Sequence, residues 1–333
     1  MTINIVVIGA GNMGRNHVRI LSENPRYKLQ AIVDANPSAG NLPEGIAVFD
    51  SIDALAASGT PFEAAVVAVP TPFHFDIGMQ LVKLGKHLLM EKPLCATHEQ
   101  CQTLIAAAAQ ADVKLAVGHV ERYNPAIRKL DEIIKAGWLG EPIHISTVRV
   151  GGYPRSLKPG DNVLIDLAVH DIDVIRSVFG PLKVEAGISH TTINKEVPDT
   201  AELLLRGASG LSVSVHVNWI TPTKIRKLQV TGTKGVCFVD YMLQSCELYG
   251  GNLLESGPGQ LTDFENLIRQ YQNSDRIVFG VNKEEPLKVE LQAFADFLSG
   301  KAAPICTGVN GMHAVQLARN ALALCNNQGG EFY

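Results

Sequence analysis

The sequence predicts an α/β protein of two domains: an N-terminal doubly wound parallel sheet and a C-terminal α+β domain with an open, mostly antiparallel sheet. In the first 120 residues, short and almost wholly apolar runs alternate with helical patterns, which is typical of a parallel sheet covered on both faces. Further on, "GLSVSVHVNWI" alternates apolar and polar residues, as a strand with one solvated face does. Because 333 residues can enclose two cores, we place the domains at 1–120 and 121–333.

The N-terminal domain contains five predicted strands and four predicted helices. The strands are Ile3–Ile8, Gln30–Val33, Ala64–Val69, His87–Met90 and Lys114–Val117. The helices are Met13–Leu21, Ile52–Ala57, Phe73–Leu84 and Glu99–Ala109. Strands that alternate with helices in this way build a parallel sheet.

The C-terminal domain is predicted to mix helices with a longer extended region. Its helices are Ala126–Lys135, Asp166–Phe179, Val289–Leu298 and Met312–Cys325, and a Gly/Pro-rich loop covers Gly151–Gly160. A strand begins near Ile143, and Val184–Tyr249 is mostly extended. Within it, Val230–Val239 is typical of two strands joined by a glycine-containing turn.

Composition excludes several classes of function. The net charge is −4 and no basic tract occurs, so a nucleic-acid partner is not expected. No apolar run reaches the roughly 18–20 residues that span a bilayer, and the N-terminus lacks the basic region of a signal peptide. The six cysteines are scattered without a C-x-x-C pair, which favours reduced, mostly buried thiols in a cytoplasmic protein with no metal site.

A glycine-rich loop follows the first predicted strand. Gly9, Gly11 and Gly14 form a G-x-G-x-x-G pattern that opens a helix. The glycines allow a tight turn, close approach of a pyrophosphate and close helix packing, and the helix N-terminus favours the phosphate charge. We therefore predict a Rossmann domain whose loop, including Asn12 and Met13, binds a dinucleotide; an ordinary βα turn is the alternative.

Asp34 predicts which dinucleotide is bound. It ends the second strand, twenty residues after Gly14, where a carboxylate accepts hydrogen bonds from the ribose hydroxyls and repels a 2′-phosphate. No arginine occurs in the following "DANPSAG". NAD is therefore favoured over NADP, although a solvated residue at a strand end would look the same.

The loop after the strand Ala64–Val69 is a second candidate for contact with the cofactor. Ligands of doubly wound sheets lie beyond the carboxyl ends of the strands, so Thr71, Pro72 and His74 are expected to face it. The alternative is a proline-rich loop in which His74 caps the next helix.

"LLMEKPLC" (Leu88–Cys95) places two opposite charges at the end of an apolar strand. Glu91 and Lys92 follow the strand at the carboxyl edge of the sheet, where the cofactor lies, rather than in a surface break between two elements. Pro93 restricts the backbone of Lys92 to extended conformations. We further predict a cis Lys92–Pro93 peptide bond, an uncommon state.

Four segments in this order resemble the glucose–fructose oxidoreductase/inositol dehydrogenase family over essentially the whole chain. They are the Gly9–Gly14 loop, "PTPFH" at Pro70–His74, "EKP" at Glu91–Pro93 and "DLAVHDID" at Asp166–Asp173, and the "GTKG" turn at Gly232–Gly235 agrees. The resemblance implies an NAD(P)-dependent oxidoreductase with a Rossmann domain. It also implies an open C-terminal sheet that makes a homodimer or homotetramer.

The same resemblance implies the catalytic residues. Lys92 would lie beside the nicotinamide and the reacting carbon, within reach of His170, and Asp166 and His170 match the family's D-x-x-x-H pair. Residues i and i+4 share a helix face, and imidazole can accept a proton near neutral pH. We expect His170 to be the general base, Lys92 to stabilise negative charge on the substrate oxygen, and Asp166 to position the substrate; Asp173 is expected to be structural. An ordinary surface helix is the alternative.

"GHVERYNPA" (Gly118–Ala126) resembles the subgroup of UDP-N-acetylglucosamine 3-dehydrogenases, which oxidise the C3 hydroxyl of the sugar. This segment follows the last predicted strand of the N-terminal domain, where the chain crosses into the second domain. That position is expected to put His119 and Glu121, together with the substrate-binding candidates, at the mouth of the substrate cleft. Those candidates are Arg122, Tyr123 and Asn124 for the sugar or cofactor, and Arg149, Arg155 and Lys158 for the diphosphate. The alternative is a helix-entry turn with Pro125 at the first helical position.

Three hypotheses follow for function. The first is an NAD-dependent dehydrogenase that oxidises a secondary hydroxyl of a sugar, C3 of UDP-N-acetylglucosamine in particular. The second is a free sugar or inositol dehydrogenase. The third is a non-catalytic regulator that binds a dinucleotide, which would not need the lysine or the D-x-x-x-H pair.

Overall fold

The fold is that of a computed structural model, which describes residues 2–36, 43–154, 162–193, 196–250 and 276–326. The chain divides into two compact units. The N-terminal unit contains the residues up to Tyr123 together with Glu285–Gln316, and the C-terminal unit contains most of the remainder. The division therefore differs from the predicted 1–120 and 121–333, since a segment late in the chain joins the first unit.

Fourteen strands are defined in the described residues. They are β1 Ile3–Ile8, β2 Tyr27–Val33, β3 Ala47–Phe49, β4 Ala64–Val67, β5 His87–Glu91, β6 Leu115–Gly118, β7 Pro142–Val150, β8 Leu182–His190, β9 Thr200–Gly207, β10 Ser212–Asn218, β11 Ile225–Gly232, β12 Gly235–Asp240, β13 Ser245–Gly250 and β14 Arg276–Phe279. The five predicted N-terminal strands are confirmed, and β3 was missed because its three residues are mostly exposed.

The helices complete the two units. They are α1 Asn12–Glu23, α2 Ile52–Ala57, α3 His74–Lys83, α4 His98–Gln110, α5 Pro125–Lys135, α6 Val169–Phe179, α7 Pro286–Leu298 and α8 Gly308–Asn326. Short 3₁₀ turns cover Thr71–Phe73 and Val120–Tyr123, and a π-helical segment covers Leu164–Ala168. The predicted single helix Asp166–Phe179 is therefore wrong in its first turn, which is π-helical.

The N-terminal unit is built on a six-stranded sheet of order β3-β2-β1-β4-β5-β6. All its strand pairs are parallel, as predicted, and this is the Rossmann strand order. Because the strands are parallel, the segments that follow β1, β2, β4, β5 and β6 all start from the same edge. The glycine loop, Asp34, Thr71 and Lys92 therefore belong to one edge of this sheet.

Helix α7 covers one face of this sheet, which explains why it joins the N-terminal unit. Leu291 and Phe294 lie in one buried cluster with Ile5 and Val7 of β1. Tyr27 donates from its hydroxyl to the carbonyl oxygen of Leu291 over 2.6 Å. Burial of this apolar helix face on the sheet stabilises the unit. The sequence did not predict this placement, because the local pattern of a helix does not indicate which sheet it will pack against.

The C-terminal unit is built on an eight-stranded sheet of order β14-β13-β12-β11-β7-β10-β9-β8. Its pairs are antiparallel except for β7 with β10, which confirms a mostly antiparallel sheet. Val213, Val215 and Val217 are buried with Trp219, as the alternation predicted, and residues of α5 and α6 belong to the same core.

The other face of this sheet carries exposed apolar side chains, including Leu204 and Phe238. A concavity of about 520 Å³ on it is lined by residues of β7, β11, β12 and β13, among them Val148 and Tyr249. The family resemblance implies an oligomer contact through this sheet, and that contact stays a prediction.

Two further expectations concern the whole chain. All six cysteines are free and buried, which confirms the prediction of buried thiols. Among the described residues, no helix combines the length and the apolar character that crossing a bilayer requires.

Candidate active site

The glycine loop between β1 and α1 has the geometry of an anion cradle. Gly9 has a φ of +95°, and a Cβ atom on it would lie 2.7 Å from the carbonyl oxygen of Ala68. A Cβ atom on Gly14 would lie 1.8 Å from the carbonyl oxygen of Gly9. Gly11 differs, since no atom lies within 4 Å of its Cβ position and no side chain caps α1 there. The loop therefore leaves open space at a helix N-terminus, which fits a pyrophosphate.

Asn12, Met13 and Asp34 surround this cradle. The side-chain oxygen of Asn12 accepts a hydrogen bond from Arg15 over 3.0 Å, and Met13 is exposed. One oxygen of Asp34 accepts the N–H of Ala10 over 2.6 Å, and the other accepts the N–H of Asn36 over 2.8 Å. The carboxylate is thus fixed beside the loop, at the position predicted for a ribose contact.

A matched pair of glycine substitutions separates binding from folding. Gly11→Ala should fold normally, because Gly11 has a φ of −66° and its Cβ position is open. Gly14→Ala should lower stability by about 1–3 kcal/mol, the usual cost of overpacking. Thermal unfolding and titration with NAD check both. We expect Gly11→Ala to weaken NAD binding at least tenfold, which is about 1.4 kcal/mol; unchanged affinity would contradict the cradle.

The segment that follows β5 brings Lys92 to the carboxyl edge of the sheet. The Lys92–Pro93 peptide bond is cis, which confirms the prediction. Glu91 is buried, accepts a hydrogen bond from His17 Nε2 over 2.7 Å and accepts the N–H of Lys92 over 3.2 Å; its predicted contact with the cofactor stays a prediction. Burial opposes its ionisation, but the hydrogen bond from His17 and nearby positive charge lower the pKa of Glu91 overall. Glu91 therefore supports the backbone of Lys92 as a carboxylate.

The loop that follows β4 divides into two parts. Thr71 is half-buried and Pro72 is exposed, so both remain candidates for cofactor contact. His74 is buried, and its Nδ1 and Nε2 lie 2.8 Å and 2.9 Å from the carbonyl oxygens of Pro93 and Val69. Burial lowers the pKa of His74, although both carbonyls favour its protonated form. His74 thus holds two loops together, and its predicted contact with the cofactor stays a prediction.

In the C-terminal unit, Asp166 lies in the π-helical segment and His170 lies in α6. A π turn has i→i+5 hydrogen bonds and often marks functional sites, so the α-helical i, i+4 argument does not describe this pair. Asp166 accepts a hydrogen bond from Trp219 Nε1 over 3.0 Å. Both Asp166 and His170 are partly exposed. The contact with Trp219 was missed because the alternating pattern marked Trp219 only as a core residue.

Arg149 is bound within the C-terminal unit. It makes a two-pronged ion pair with Asp171, with both N–O distances 3.0 Å, and the two side chains are 4 % and 1 % exposed. Its guanidinium also lies 4.9 Å from the centre of the Tyr241 ring. The predicted diphosphate contact of Arg149 would compete with this pair. Asp173 is buried, consistent with a structural role.

The remaining substrate candidates have different surroundings. Arg122 is buried and donates to the carbonyl oxygen of Ile305 over 3.0 Å, and Tyr123 is buried. Asn124 caps α5 by accepting the N–H of Ala126 over 3.1 Å, and its amide donates to Tyr241. This agrees with the helix-entry reading of the segment. Arg155 and Lys158 lie outside the described residues.

The strand order and the open glycine loop at a helix N-terminus define a Rossmann domain, a fold that binds dinucleotides. Residues 3–119 match the model of the oxidoreductase family with an NAD-binding Rossmann fold, and residues 127–237 match the GFO/IDH/MocA C-terminal domain. The chain therefore belongs to the GFO/IDH/MocA family of oxidoreductases, and it is an NAD-dependent dehydrogenase.

Two curated relatives illustrate the range of the family. The chain is 26% identical to UDP-N-acetylglucosamine 3-dehydrogenase of Acidithiobacillus ferrooxidans over 94% of each chain. It is 30% identical to inositol 2-dehydrogenase 2 of Saccharopolyspora erythraea, over 65% of this chain and 67% of the relative.

Solved structures agree with the fold. The Acidithiobacillus ferrooxidans UDP-N-acetylglucosamine 3-dehydrogenase GnnA superposes with a TM-score of 0.81 at 22% identity, covering 97% of this chain and 98% of the other. The WlbA dehydrogenase of Bordetella pertussis, in complex with NADH and UDP-GlcNAcA, gives 0.78 at 21% identity and covers 98% and 97%.

Proposed function

We propose that this protein oxidises the C3 hydroxyl of UDP-N-acetylglucosamine to a ketone with NAD. The observation that carries the proposal is the extent of the match to a curated 3-dehydrogenase, 94% of both chains. A match of that extent includes the C-terminal domain, which is expected to recognise the substrate. The relatives named for inositol oxidation that are 26–30% identical match over only 65–71% of this chain.

The chemistry assigns one role to each candidate residue. Bound NAD supplies the hydride acceptor, and the glycine loop with Asp34 would hold its adenosine half. As the carbon loses its hydride, the hydroxyl proton must leave; His170 accepts it as general base. Lys92 stabilises the negative charge that develops on the substrate oxygen, and Asp166 orients the sugar. The carbon–oxygen bond thereby becomes a carbonyl.

Oxidation of a free polyol is the second candidate. The relative with 30% identity is named for inositol oxidation, which is a higher identity than the 26% of the 3-dehydrogenase. Identity alone does not decide between substrates, because the substrate-binding surface is a small part of either chain.

A panel of substrates separates these candidates. The formation of NADH would be followed by absorbance with UDP-N-acetylglucosamine, UDP-glucose, free N-acetylglucosamine and myo-inositol. We expect kcat/KM for UDP-N-acetylglucosamine to exceed that for the free sugar by at least 100-fold, about 2.7 kcal/mol. NMR of the product would place the ketone at C3. Turnover of free polyols alone would refute the nucleotide-sugar proposal, and NAD binding without any turnover would favour the regulator.

A further inference from the structure

Three ionisable side chains converge inside the N-terminal unit from three separate elements. His17 comes from α1, Glu91 from the end of β5 and Glu290 from α7. One nitrogen or oxygen atom of each lies within 4.8 Å of the other two. His17 and Glu290 are fully buried and Glu91 is 7% exposed. None of the roles assigned above uses His17 or Glu290 directly.

The contacts decide which of the two carboxyl groups carries the charge. Glu91 accepts hydrogen bonds from His17 Nε2 and from the backbone N–H of Lys92, and both stabilise a carboxylate. Neither oxygen of Glu290 has a hydrogen-bond partner among the described residues. Two adjacent carboxylates cannot both be ionised in a dry interior without a large penalty. Burial and the charge of Glu91 accordingly raise the pKa of Glu290 well above its usual range.

A neutral Glu290 carries a proton, and the Glu91 carboxylate is an anion beside it, within 4.8 Å but without a direct hydrogen bond between the two side chains. The Glu91 carboxyl group also packs closely against Gly118, because a Cβ atom on Gly118 would lie 3.4 Å from it. A shift of this carboxylate would also move the N–H that it binds, which belongs to Lys92. The cluster is thus connected to the proposed catalytic lysine through one side chain.

We propose that Glu290, as a neutral carboxylic acid, and His17 are positioning residues that fix the Glu91 carboxylate and, through it, the backbone of Lys92. The catalytic part of this inference rests on the proposed function of Lys92. A divalent cation held by the same three side chains is the competing explanation, and it would require both carboxyl groups to be ionised.

Two substitutions of Glu290 distinguish positioning from simple packing. Glu290→Gln keeps a neutral, polar side chain of nearly the same size, so kcat should stay within about threefold of the parent. Glu290→Leu removes the buried polar group, which leaves stability unchanged or higher, but should lower kcat at least tenfold while the affinity for NAD changes little. Parental kcat in Glu290→Leu, or a Glu290→Gln variant as impaired as Glu290→Leu, would overturn the proposal.

A measurement without substrate keeps this test separate from the proposed function. Acetylation of each lysine by acetic anhydride would be quantified by mass spectrometry, with the exposed Lys135 as internal standard. The rate at Lys92 should change about threefold or more in Glu290→Leu and stay at the parental value in Glu290→Gln. If no sugar is oxidised but this pattern holds, the positioning inference survives; equal rates at Lys92 in all three proteins would overturn it.

Two controls complete the design. If Glu290→Leu does not fold, His17→Gln and His17→Leu replace it, because the glutamine amide can still donate to Glu91 and leucine cannot; equal Lys92 rates in this pair would overturn the proposal. Metal analysis of the purified parent addresses the cation. Stoichiometric divalent metal in the parent that is lost in Glu290→Gln would overturn the assignment of Glu290 as a neutral acid. A parent protein without bound metal would support that assignment.

Discussion

Lys92→Ala is expected to reduce kcat by about 10²–10⁴-fold, the range in which loss of one electrostatic or proton-transferring group falls. Lys92 follows β5 at the carboxyl edge of the Rossmann sheet, and its backbone is held by Glu91. The glycine loop and Asp34 are separate from it in sequence and are proposed to bind the other half of the dinucleotide. The affinity for NAD should therefore stay within about threefold of the parent.

Steady-state kinetics and NAD titration measure the two quantities separately. Lys83→Ala is the matched control, because Lys83 lies in the same unit at the exposed end of α3; it should behave as the parent does. Lys92→Arg tests whether charge alone suffices, and we expect partial activity because a guanidinium differs in shape from an ammonium group. A Lys92→Ala variant with parental kcat would refute the proposed role of the lysine.

The sequence predicted the parts of the site that depend on local patterns. The glycine loop follows from a strand, three glycines and a helix that are adjacent along the chain. The placement of Lys92 follows from an apolar strand that ends just before it, whereas its cis peptide bond was predicted from the functional role expected of this lysine, since most X–Pro bonds are trans. Such features are encoded within about ten residues, so they could be identified without knowing what packs against them.

Features that depend on distant partners were not predicted. His74 binds the carbonyl oxygen of Pro93, nineteen residues away, and Trp219 binds Asp166, fifty-three residues away. Glu290 belongs to a helix in the sequence region assigned to the second domain, yet it is buried with residues of the first unit. No periodicity specifies these contacts, because each is set by how complete elements pack.

Replacing Arg149 by methionine is expected to lower the free energy of unfolding by about 3–5 kcal/mol, the usual cost of removing one partner of a buried ion pair. The reason is that Asp171 is 1% exposed and would lose the guanidinium that compensates its buried carboxyl group. Chemical denaturation measures this loss. Lys135→Met is the control, since its pair with Asp131 lies on the surface and should contribute less than about 1 kcal/mol.

The double variant Arg149→Met/Asp171→Leu decides whether Arg149 supports the fold or binds substrate. Replacing both charged residues by apolar side chains also removes the carboxyl group that Arg149 compensates, so most of the lost stability should return. If Arg149 is only structural, the KM for the nucleotide sugar in the double variant also returns to the parental value. If Arg149 also binds the diphosphate, KM stays raised about tenfold or more while kcat recovers. An Arg149→Met variant no less stable than Lys135→Met would instead show that the buried pair contributes little to folding.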